Sequence, residues 1–170
     1  MASHEANVAT CESIIQYVFI DKRLCLEAIQ ASGHVLQWQH NFTRVSKNDR
    51  LAVLGDVVTK AHLCEKWFAT GRSKGQWTQA EQALLSNAKL STVGYDHGLQ
   101  DCVILNEGTP SVSPKTMATT VEAIFGAVFL DGGFRALGAV LVTLGLAHAF
   151  LELVMSNFTP CFFEGYDTSV

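Results

Sequence analysis

The chain has 170 residues, 48% of them hydrophobic and 16% charged, and a net charge of −4. That length suits one domain with a real core, and the composition excludes a disordered chain. The balance of charge gives no general attraction to nucleic acid. The five cysteines (Cys11, Cys25, Cys64, Cys102, Cys161) are odd in number and scattered, without a CxxC pair, so buried thiols in a reducing, intracellular compartment are expected rather than a disulfide framework or zinc site. Cytoplasm and mitochondrion stay equally open.

The opening MASHEANVATCESIIQ carries acids and no long apolar core, unlike a secretory signal. Residues 8–19 set Ile14, Ile15, Val18 and Phe19 on one helical face, and residues 21–32 read as a second helix, with Asp21 as N-cap and Gly33 as stop. Residues 33–47 look like loop or short turns. A long helix is predicted from Asn48 to Thr70, ended by Gly71, then two shorter helices broken near Gly94. Residues 101–116 read as loop, with Gly108, Pro110 and Pro114. An apolar helix follows from Met117 to Leu130, closed by Asp131-Gly132-Gly133.

The last predicted helix, 134–155, has no formal charge between Arg135 and Glu152. It is short for a bilayer, contains Gly138, Gly145 and His148, and lacks a basic flank, so a core or interface helix is expected and no membrane span. Residues 44–74 carry a surplus of four positive charges. That pattern suits the solvated flank of an amphipathic helix, with a local basic face as the alternative.

Two stretches carry the chemistry. In DRLAVLGDVV (49–58) Asp56 stands one helical turn after Ala52, and in TMATTVEAIFGAVFLDGG (116–133) Glu122 stands three residues after Thr119. Small residues flank both acids: Gly55 in the first stretch, and Ala123, Gly126 and Ala127 in the second. If these helices pack closely, Asp56 and Glu122 share a groove, where two carboxylates could hold a divalent cation or act as an acid/base pair. Two buried acids without a role would cost stability. Thr119, Thr120, Lys60, Lys115, His34 and His40 are further polar candidates. Their ordinary roles are helix caps for the threonines, solvated charges for the lysines and loop positions for the histidines.

DRLAVLGDVV resembles the ribonuclease III signature ERLEFLGDAVL, and TMATTVEAIFGAVFLDGG resembles that family's ADxxEAxxGAxxLDGG pattern. LCLEAIQASGH before them and LLSNAKLSTVG between them resemble two further family segments, in the right order. The similarity spans about residues 8–150 and is nearest to a stand-alone, fungal type without a double-stranded-RNA-binding domain. The resemblance implies an all-α, dimerising helical domain over residues 1–155, with residues 156–170 as a C-terminal tail. It implies a valley for double-stranded RNA and four carboxylates that organise Mg²⁺. By position those four fall on Ala52, Asp56, Thr119 and Glu122, so two are replaced. Val53 takes the place of an aromatic that, in the family, plugs a socket on the partner subunit.

Halving the charge of a hard-cation site weakens it strongly. Asp56 and Glu122 are therefore expected to hold Mg²⁺ or Mn²⁺ at most weakly, with no other cofactor. The expected function is a homodimeric scaffold or RNA-binding module, with duplex RNA bound weakly. One alternative is a valley converted to metal-independent acid/base catalysis on a small molecule, as in a biosynthetic pathway, using Asp56, Glu122 and Thr119 with Lys60, Lys115 or His40. Residual endoribonuclease action is a second alternative.

Overall fold

In the computed structural model, which describes residues 4–33, 35–38 and 41–155, the helices are α1 (His4–Ile15), α2 (Lys22–Ile29), α3 (Asp49–Ala69), α4 (Lys74–Leu85), α5 (Asn87–Asp96), α6 (Pro114–Thr143) and α7 (Leu146–Met155). The expected helical architecture holds. Residues read as loop in the sequence form a small antiparallel hairpin, β1 (Val35–Trp38) with β2 (Asn41–Arg44), in which Val35 faces Arg44 and Trp38 faces Asn41. Val35, Trp38, Phe42 and Thr43 are β-favouring types, and Trp38 is buried. The tail 156–170, His34, His40 and Cys161 lie outside the described residues.

Local signals set the ends of the elements. Asp21 caps α2 as expected, its Oδ1 accepting from the Arg23 N–H at 2.9 Å. The long third helix ends at Thr70 and Gly71, the glycine at φ 68°. The break between the next two helices falls at Ser86, not at Gly94: Ser86 ends α4 and its hydroxyl caps α5. Gly94 lies inside α5, where a Cβ would meet the Met117 sulfur at 2.4 Å; its role is close packing, not termination.

Helix α6 begins three residues earlier than the apolar pattern suggests, because Ser113 caps it and Pro114 occupies its first turn. The predicted stop at Asp131-Gly132-Gly133 is a kink at Gly133 (φ 67°), and the helix continues to Thr143. The expected single helix over 134–155 is instead divided at Gly145, φ 73°.

The first half of α6 is the axis of the core. Its residues Met117, Val121, Ala123, Ile124, Phe125, Ala127 and Val128 are all buried, among α2, α3 and α5. Although α6 is long and apolar enough to cross a bilayer, the apolar side chains of this half pack against protein, and Thr119 and Glu122 are half-buried. Cys11, Cys25 and Cys102 are buried free thiols and Cys64 is half-buried.

Asn48 ties the entry of α3 to this core. It is 1% exposed, and its Nδ2 donates to the Ala28 carbonyl at 3.0 Å and to Thr120 Oγ1 at 3.3 Å. Asn48→Ala leaves that carbonyl without its donor, so unfolding by urea should show a loss of about 1–2 kcal/mol. An unchanged midpoint would mean that the bonds contribute nothing.

Candidate functional site

The site is built where α3 crosses α6. A Cβ added to Gly55 would lie 1.8 Å from the Glu122 carbonyl oxygen, and one added to Gly126 would lie 2.3 Å from the Leu51 carbonyl oxygen. The two backbones therefore touch directly at a glycine seam. Asp56 follows Gly55 in sequence, and Glu122 supplies the carbonyl at the seam, so the contact that joins the helices also brings the two acids together. The expectation of a shared groove is met.

That groove is open to solvent, about 330 Å³ in volume, and lined by Asp49, Ala52, Val53, Asp56, Val57, Thr119 and Glu122. Asp56 and Glu122 are half-buried at its wall rather than buried, which corrects the expectation of two interior acids. The physical reason is the rim position: each side chain leaves the seam toward solvent. Asp49, whose sequence context gave no catalytic signal, also lines the groove, and it pairs with Lys47 at 3.2 Å.

Electrostatics separates the two acids. Burial pushes the Glu122 carboxyl above the ordinary carboxylate range; the Asp56 charge pushes it further and Lys60 pulls it partly back. Asp56 is ion-paired: Lys60 Nζ lies 2.9 Å from Asp56 Oδ2, one turn away on the same helix, and 3.5 Å from Glu81 Oε1 on α4. The Lys60 ammonium is held above its usual range chiefly by the hydrogen bond to Asp56. Glu81 went unnoticed in the sequence because nothing local marks it; only the packing of α4 beside α3 brings it to Lys60.

The other candidates divide. Thr119 lines the groove and a neighbouring pocket of about 320 Å³, which also contains Lys47, Asn48 and Lys115. Lys115 is thus beside the site but not in it. Thr120 is no cap: it is buried, donates to the Thr116 carbonyl at 2.9 Å and accepts from Asn48. Val53 and Val57 are 69% and 58% exposed on the groove rim.

Residues 49–133, half of the chain, match the Ribonuclease III domain family, and the chain belongs to that family. It is 29% identical over 137 residues to Ribonuclease 3 of Oleidesulfovibrio alaskensis, covering 77% of this chain and 58% of that protein. It is 34% identical over 134 residues to Ribonuclease 3 of Rhodopirellula baltica, covering 75% and 48%. The chain thus spans roughly half of these relatives' length. The fold is similar to the nuclease domain of ribonuclease III from Campylobacter jejuni, in a structure described for flexibility in its dimer-forming region. That match has a TM-score of 0.64 and 21% identity, covering 88% of this chain and 99% of the other.

The family resemblance brings Mg²⁺ with it, and the donor set can be tested against that ion. A Mg²⁺ site needs oxygen ligands in near-octahedral array with carboxylate charge. Here Ala52 offers a methyl group, 5% exposed, Thr119 a neutral hydroxyl, and Asp56 already carries an ammonium. Among the described residues no three His, Cys, Asp or Glu side chains are arranged to hold a metal ion. These groups do not fit a tightly held dication.

Proposed function

We propose that this chain is a ribonuclease III-fold homodimer that has left standard Mg²⁺-dependent cleavage of double-stranded RNA and serves as a scaffold or duplex-RNA-binding module. The observation that carries the reading is the groove wall: where the family resemblance implies four carboxylates, Asp56 and Glu122 stand with the Ala52 methyl and the Thr119 hydroxyl. The exposed apolar rim of α3 at Val53 and Val57 supports dimerisation, as does the dimer-forming region named for the Campylobacter domain.

Incubation with duplex RNA in Mg²⁺ or Mn²⁺ should leave the RNA intact, and ultracentrifugation at micromolar concentration should show a dimer. Cleavage that disappears in Asp56→Asn would overturn the first claim and establish the residual endoribonuclease that the relatives' names suggest; a monomer would overturn the second. A gel shift at low salt decides between the two roles, because duplex binding is dominated by phosphate neutralisation. Retarded duplex supports the RNA-binding module, and its absence leaves the protein scaffold.

The small-molecule reading has one observation in its favour, a raised Glu122 carboxyl beside the paired Asp56. The open groove argues against it, since small-ligand sites are usually enclosed.

A further inference from the structure

An aspartate and a lysine one turn apart on an exposed helix form a common pair of small energetic consequence. The arrangement at Lys60 is different. Its ammonium bridges Asp56 on its own helix, at 2.9 Å, and Glu81 on α4, at 3.5 Å. Glu122, on α6, lies within the electrostatic reach of both Asp56 and Lys60. Carboxylates from two helices, α3 and α4, thus flank one ammonium. Lysine suits this position, being a compact point charge with three donors, enough to serve two carboxylates at once.

We propose that Lys60 is a resident cation at the edge of the groove: it supplies, from the chain itself, the positive charge that balances Asp56 and Glu81, and thereby keeps divalent metal ions from Asp56. A dication approaching Asp56 meets an ammonium on the same carboxylate and must displace it. It then stays within a few ångströms of that like charge, because Lys60 is tethered one turn away. The missing acids at positions 52 and 119 weaken such a site passively; Lys60 opposes it actively. This inference deepens the non-cleaving reading and rests on it, but a metal titration tests it without any nuclease assay.

The test is a Mn²⁺ titration followed by electron paramagnetic resonance, in which the free aqua ion gives the signal and bound ion is lost from it. Wild type should leave Mn²⁺ free up to about 1 mM, the weak end expected for a poorly built oxygen site. Lys60→Met should bind one Mn²⁺ at least about tenfold more tightly than wild type, as expected when a nearby like charge is removed. Lys60→Arg, which keeps the charge, should behave as wild type, and Lys60→Met/Asp56→Asn should lose the gain. Thermal melting monitored by circular dichroism in chelator checks folding. Should the methionine variant not fold, Lys60→Gln takes its place in the same titration.

Tight Mn²⁺ binding by wild type would overturn the proposal, as would a folded Lys60→Met or Lys60→Gln protein no better at binding than wild type. Cleavage of duplex RNA by wild type would strike instead at the non-cleaving reading, so the two failures are distinguishable.

Discussion

Gly55→Ala should be the most damaging single substitution of a small residue in this protein. The added methyl would sit 1.8 Å from the carbonyl oxygen of Glu122 and 2.8 Å from the Gly126 nitrogen. Both obstacles are backbone, so no rotamer change relieves the clash and the helices must separate. Overpacking in a core costs about 1–3 kcal/mol, and more where backbone must move. A loss of about 3 kcal/mol or more would consume much of a typical domain's stability of about 5–15 kcal/mol. In a chain of this size that corresponds to a fall in melting temperature of about 10 °C. Gly75→Ala is the control: it lies in α4, and its nearest neighbour would be the Ser73 hydroxyl at 3.9 Å. There alanine should stabilise by about 0.5–1 kcal/mol through helix propensity. Similar effects at the two glycines would rule out the seam as the organising contact.

The second large effect is in pH dependence and concerns His62. Its ring is 8% exposed, stacks on Phe134 with centroids 5.9 Å apart, and has no hydrogen-bond partner at either nitrogen among the described residues. Gly138 on α6 makes room for it, since a Cβ there would lie 3.0 Å from Nε2. Burial lowers the tendency of this ring to protonate, Lys66 lowers it further, and Glu65 opposes. An unfolded histidine titrates near pH 6.5. Below about that pH the unfolded chain takes up a proton that the folded ring refuses, so stability is present above this range and lost as pH falls. The loss continues until the folded ring also protonates, at a slope approaching about 1.4 kcal/mol per pH unit. Urea midpoints measured from pH 7.5 to 5 should fall for wild type and fall less for His62→Leu. Parallel curves for the two proteins would show that His62 protonates without penalty.

How far these features could be read from the sequence depends on the range of the interaction that makes them. The course of α3 was plain, because Asp49–Ala69 is a continuous helical pattern stopped by Gly71. The meeting of Asp56 with Glu122 was legible too, since small residues beside each acid mark a close helix crossing. Other positions misled because one residue type serves several purposes. Gly94 looked like a breaker and is a packing notch for Met117. Ser86, not Gly94, separates the two helices. Ser113 and Pro114 start α6 from within a stretch whose Gly and Pro content reads as loop. The depth of the two acids was beyond reach, because helical spacing says which face a side chain shares but not how far that face stands from solvent. Glu81 was beyond reach for a similar reason: its partner lies on another helix.

The glycine seam also bears on how such a protein can change over generations. Its grip is backbone against backbone, at Gly55 with Glu122 and at Gly126 with Leu51, and it needs nothing from the side chains at positions 52, 56, 119 or 122. Substitutions along the groove wall therefore leave this backbone contact in place. A lineage could exchange charge for methyl or hydroxyl there one residue at a time while the seam that joins the two helices is kept.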